Sequence, residues 1–124
     1  EALSIKQIGF LSPYVAEVSG ALRLTLEKSG IQSPVFGSFD EALEARVARI
    51  APQSIVDAAL DLAAQGGIDA LFLSCTNLRT LDVVKTIEAA TGLPVLSSNL
   101  VLAWDMARKS GISLQGDWGR LSRI

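Results

Sequence analysis

The chain has 124 residues, 49% of them hydrophobic and 19% charged, with a formal net charge of −2, the profile of one mildly acidic α/β-sized domain that can bury a core but is short for a two-domain enzyme. No basic cluster gives a phosphate backbone a footprint, and no apolar run reaches the roughly eighteen residues of a membrane span, so neither nucleic acid nor membrane is expected as a partner. A single cysteine and no histidine exclude an internal disulfide framework and leave only scattered carboxylates and amides for a metal, so no metal is expected and a cytoplasmic setting is the default. The opening Glu-Ala-Leu-Ser-Ile-Lys carries no signal peptide and no initiating methionine, which suggests a trimmed, cleaved or partial product.

Residues Ile5 to Leu11 alternate loosely and then run apolar, as a first strand does, and Ser12-Pro13 comes next as N-cap and first helical position. Tyr14 then begins a helix at a strand's carboxyl end. Val15, Val18, Leu22 and Leu26 recur on one face of that helix, and Gly30 ends it. Pro34 to Phe39 reads as a weaker strand near an edge, because proline and glycine both interrupt it. Asp40 is positioned to cap a short polar helix through about Arg49, whose Glu41, Glu44, Arg46 and Arg49 read as a solvated face with no catalytic role. Pro52 opens the next helix, with Ile55, Ala59 and Leu62 facing inward until Gly66-Gly67.

Ile68 to Leu73 is a short apolar run, the pattern of a central strand covered on both faces. Ser74-Cys75-Thr76-Asn77 comes directly after it, and Asn77 or Thr76 is expected to cap a helix carrying Leu78, Leu81, Val84 and Ile87 and stopping at Gly92. On that reading the helix starts right after Cys75, and its free N–H groups and positive dipole end would stabilise a thiolate. The plainer alternative is a small buried hydrophobe, since free cysteine is among the most buried residue types. Tyr14 likewise stands between a packing aromatic with a wet hydroxyl and a site residue level with Cys75. Leu93 to Ser98 forms a fourth strand with proline near its start, leaving Ser98 and Asn99 at its carboxyl end. A last helix places Leu100, Ala103, Trp104 and Ala107 on one stripe and stops at Gly111. The tail 112–124 lacks periodicity but holds Trp118, Leu121 and Ile124, so it is expected to dock.

Alternating strands and helices with short connections predict a flavodoxin-like three-layer α/β sandwich, a four-stranded parallel sheet of order 2-1-3-4. That order gathers Ser12 to Tyr14, Phe39, Cys75 to Asn77 and Ser98-Asn99 on one edge, where open α/β sheets bind ligands. The glycine-rich dinucleotide fingerprint and the Walker pattern are both absent, so neither cofactor class is indicated.

Phe-Leu-Ser-Pro-Tyr-Val, Val-Ala-Arg-Ile-Ala-Pro, Leu-Ser-Cys-Thr-Asn-Leu-Arg-Thr and Pro-Val-Leu-Ser-Ser-Asn occur in that order. Together they resemble the aspartate/glutamate racemase superfamily, in the branch of maleate cis-trans isomerases, arylmalonate decarboxylases and ectoine-utilisation proteins. The Ser-Cys-Thr-Asn-Leu-Arg-Thr wording looks most like the ectoine-utilisation group, and Gly-Asp-Trp-Gly-Arg-Leu is similar to the ending of such proteins. The resemblance covers almost the whole chain and implies that residues 1–124 are the second, C-terminal, of two similar α/β domains that share a cleft and use no cofactor.

By resemblance, Cys75 is the second-domain thiol, Tyr14 a hydroxyl donor to a substrate carboxylate, and the N–H groups of Thr76 and Asn77 an anion cradle, with Ser98 and Asn99 as further substrate-binding candidates. The implied partners are a small carboxylate and the missing N-terminal domain, and a fragment lacking that domain is expected to self-associate. The implied reaction is a racemisation, isomerisation or decarboxylation. A non-catalytic flavodoxin-like binding or regulatory module that kept the fold is the alternative.

Overall fold

The computed structural model describes residues 2–124. Its elements run β1 (Gln7–Ser12), α1 (Ala16–Lys28), β2 (Gln32–Ser38), α2 (Glu44–Val47), α3 (Pro52–Ala64), β3 (Ala70–Leu73), α4 (Val84–Thr91), β4 (Val95–Ser97), α5 (Ser98–Lys109) and a closing 3-10 turn, Arg120–Arg123. The strands form one parallel sheet of order β2-β1-β3-β4, as the alternation of elements predicts.

Register follows from the apolar pattern. Pairing Phe10 with both Phe36 and Phe72 places three rings on one face of adjacent strands, with centroids 6.2 and 5.8 Å apart in tilted contact. Leu11, Leu71, Leu73 and Val95 join the core with Ile55, Ala59 and Leu62 of α3 and Val84 and Ile87 of α4, all fully or nearly fully buried. Pro52 opens α3 at its first turn and Gly92 closes α4 at φ +71°, the two positions where each residue type costs least.

Two expectations about helices are corrected. Val18 and Leu22 of α1 stay 44% and 37% exposed, while Ser19 is the buried residue of that helix. The cause is where α1 lies: it packs on the edge strand β2, where the Arg23 guanidinium covers the Phe36 ring at 4.7 Å and binds Ser33 through Nε and Nη2. The helix also begins after Val15 rather than at Pro13. The second correction concerns the polar helix after β2. Asp40 sits at φ +51° and does not cap it; α2 is a single turn starting after Leu43.

The tail packs against α4 and α5. Leu121 is buried, Arg120 donates its N–H to Glu88 and its guanidinium to the Gly92 carbonyl, and Trp104 Nε1 donates to the Ile124 carbonyl. A Cβ on Gly119 would come within 2.6 Å of Val84 Cγ1, so this close approach requires glycine. An apolar groove of about 280 Å³ remains between α1 and α5 over Phe72 and Leu96. No helix among the described residues is long and apolar enough to cross a membrane.

Candidate functional site

Each strand delivers a serine to the carboxyl edge of the sheet: Ser12, Ser38, Ser74 just past β3, and Ser97. Three of them, Ser12, Ser74 and Ser97, are buried, and buried hydroxyls are retained where they hold backbone in place. Ser12 Oγ accepts the Tyr14 N–H at 3.0 Å and a hydrogen bond from Ser19 Oγ at 3.1 Å. Ser19 Oγ and Ser38 Oγ also reach the Tyr14 carbonyl. Tyr14 therefore hangs on a backbone fixed by three serines, of which the sequence singles out Ser12 but neither Ser19 nor Ser38.

Cys75 is 4% exposed and lies beyond β3 in a loop, not at a helix terminus. The expected helix start is corrected: α4 begins only at Val84, with Thr80's carbonyl accepting from Val83 and Val84. Neither Thr76 nor Asn77 caps it, because Asn77 is engaged elsewhere. Its backbone N–H donates to Cys75 Sγ at 3.3 Å and its Nδ2 donates to Glu44 Oε2 at 2.6 Å. Leu78 is fully buried from the loop itself, while Leu81 is 38% exposed. A single N–H aimed at sulfur replaces the helix dipole as the local stabiliser of a thiolate.

Cys75 sits at φ +133°, a conformation that side chains other than glycine adopt at a cost of about 1–3 kcal/mol. Surrounding bonds hold it there. Ser98 Oγ, at the start of α5, accepts the Cys75 N–H at 3.1 Å, and Asn99 Nδ2 donates to the Thr76 carbonyl at 2.9 Å. Ser97 caps α5 by accepting the Leu100 N–H at 3.2 Å. Ser98 and Asn99 thus meet the Cys75 loop directly.

Cys75 also acts on the Tyr14 hydroxyl. Its hydrogen bond to Cys75, then partial burial, then the charges of Cys75 and Glu44, push its pKa up to about 12, so the phenol keeps its proton and can donate it to an anion. All six candidates converge: Tyr14 and Cys75 at the centre, Thr76, Asn77, Ser98 and Asn99 in the loop and the α5 start that hold it. Glu44 joins them without any signal in the sequence beyond a charged helix face. Among the described residues no group of three His, Cys, Asp or Glu is placed to hold a metal.

The arylmalonate decarboxylase family model matches residues 1–121. The arylmalonate decarboxylase of Bordetella bronchiseptica is 27% identical over 111 residues, which are 89% of this chain and 46% of that protein. A crystal structure of arylmalonate decarboxylase superposes with a TM-score of 0.88 at 26% identity, covering 98% of this chain and 55% of that one. A mutant of the Nocardia farcinica maleate cis-trans isomerase with a covalently bound succinylcysteine intermediate superposes with a TM-score of 0.91 at 25% identity, covering 98% of this chain and 50% of that one. The chain spans about half the length of these relatives. With four strands in the order they share and a cysteine past the third, the chain belongs to the arylmalonate decarboxylase family, within the aspartate/glutamate racemase branch that includes the maleate isomerases.

Proposed function

We propose that this chain is the second cleft domain of a cofactor-independent isomerase, racemase or decarboxylase that works on a small carboxylate through Cys75, with an ectoine-utilisation or maleate-isomerase activity as the finer reading. The observation that carries it is the convergence of a protonated Tyr14 phenol and a strained, N–H-supported Cys75 at the carboxyl edge of the sheet. The relatives' names support the same chemistry, and a cytosolic setting accompanies it.

The chemistry follows from the groups. Tyr14 donates its O–H to a substrate carboxylate, and removing a proton or carbon dioxide from the adjacent carbon leaves an enediolate-like anion. Fixed donors stabilise that anion most where water is excluded. The thiol can then give its proton to carbon and become thiolate, or as thiolate take a proton from carbon. Alternatively, thiolate adds to an alkene carbon, the bond that was double rotates, and the thiolate leaves with its electron pair. Thr76 and the Ser98 hydroxyl supply the remaining polar lining. A second wall is required to close the cleft, and we assign it to an N-terminal domain of the same enzyme. Without it, the chain is inactive and self-associates through the tail, with Trp104 and Trp118 as anchors.

Cys75→Ser in the enzyme that contains this domain is expected to abolish turnover of maleate and arylmalonate with no change in melting temperature beyond a few degrees, because the swap hardly changes volume. Undiminished turnover would sink the assignment. Light scattering on the 124-residue chain checks the other half: a strictly monomeric, active chain would show that the site is complete within it.

A further inference from the structure

Ser19 is the buried residue of α1, although Val18 and Leu22 of the same helix stay exposed. A hydroxyl buried in a helix is unfavourable unless it is bonded, and this one is bonded toward the site. Its backbone N–H donates to the Val15 carbonyl at 3.1 Å, and its Oγ–H is shared between Ser12 Oγ at 3.1 Å and the Tyr14 carbonyl at 3.2 Å. Ser12 Oγ in turn accepts the Tyr14 N–H at 3.0 Å. One buried side chain therefore holds both polar groups of the Tyr14 backbone, the carbonyl directly and the N–H through Ser12.

No step of the chemistry assigned to Cys75 and Tyr14 uses Ser19, and among the described residues it makes no hydrogen bond to either of those side chains. Its lever is geometric. The phenol sits at the end of a side chain that springs from the clamped backbone, so a small rotation at Tyr14 is magnified at the hydroxyl oxygen. Misplacing a working group by about 1 Å costs about a hundredfold in rate. We propose that Ser19 is a positioning residue for substrate binding, setting the direction in which the Tyr14 hydroxyl meets the substrate carboxylate. A hydroxyl carried by α1 suits that task, because the helix is packed on β2 and is held by the sheet. The inference rests on the reading of Tyr14 as the carboxylate donor and adds to it a residue that does not itself touch the substrate.

The test is a double-mutant cycle in the enzyme that contains this domain, assayed with maleate and arylmalonate. Tyr14→Phe is expected to lower kcat/KM about tenfold or more, the worth of one hydrogen bond to a charged group. Ser19→Ala is expected to lower it about threefold or more by itself and to add nothing in the Tyr14→Phe background, because it acts only through the hydroxyl that phenylalanine lacks. Ser19→Thr, which keeps the hydroxyl, should restore the rate. Ser29→Ala, which removes an exposed hydroxyl just past the end of α1 bonded to the Thr25 carbonyl, should leave it unmoved. Ser38→Ala frees the same Tyr14 carbonyl from an exposed position and should behave as Ser19→Ala does, so the proposal stays open to refutation if a Ser19 variant fails to fold. On the chain itself, whose one tyrosine gives a single phenolate signal, Ser19→Ala should move the midpoint from about 12 toward the ordinary value of about 10, as the phenol loses its fixed place beside Cys75. An unmoved midpoint, or an equal loss of kcat/KM with and without the Tyr14 hydroxyl, overturns the positioning role alone. A Tyr14→Phe enzyme with undiminished kcat/KM overturns the reading of Tyr14 and this inference with it.

Discussion

Ser98 Oγ accepts the backbone N–H of Cys75 at 3.1 Å, and this one bond joins the loop past β3 to the first residue of α5. It restrains the backbone of a cysteine whose φ is +133°, so the hydroxyl works on the geometry of the thiol. Ser98→Ala removes the acceptor and leaves a part-buried N–H unmade, at a cost of about 1 kcal/mol. Urea denaturation should show that loss, and alkylation of Cys75 should change in rate at the same time. Equal stability with an unchanged rate would mean that Ser98 meets only solvent or substrate.

Tyr14 is the chain's one tyrosine, so its phenolate absorbance reports a single group. The midpoint is expected near 12 rather than the ordinary value of about 10, chiefly because of the Cys75 hydrogen bond. An acid whose folded-state value is raised keeps its proton where the unfolded chain loses it. Its contribution is therefore full below pH 10 and is lost as pH rises from about 10 to about 12. Cys75→Ala should return the midpoint toward 10. A titration indifferent to that change would place Tyr14 away from the sulfur.

The backbone at Cys75 predicts an inverted order of stability. Glycine at an ordinary position costs roughly 0.5–1 kcal/mol relative to alanine. Here alanine keeps the strain of φ +133° and glycine relieves it, which is worth about 1–3 kcal/mol. Cys75→Gly should thus be at least as stable as Cys75→Ala in thermal or urea unfolding. The usual order, with glycine the weaker, would show that the conformation carries no strain.

The strand order and the gathering of Tyr14, Cys75, Ser98 and Asn99 were legible in the residues, for one physical reason. In a parallel sheet every strand ends at the same edge, so the residues next in sequence after each strand are brought to that edge. The conformation of the segment after Cys75 was not legible. Leu78, Leu81, Val84 and Ile87 lie at a spacing that suits a helix, yet Leu78 is buried from a turn and only Val84 onward is helical. The bonds that hold the turn open run from Asn77 to Glu44 and from Cys75 to Ser98, partners 33 and 23 residues away.

The stripe of α1 is a parallel case. Periodicity names the residues that share a face, Val18, Leu22 and Leu26, but the sheet ends at β2, so much of that face has nothing beneath it. Local order along the chain follows short-range patterning and turn chemistry where no long-range bond competes with them, as one does past Cys75. Tertiary structure alone decided the charge environment of the Tyr14 phenol, because Cys75 and Glu44 follow two other strands and act on it only once the sheet brings the three segments together.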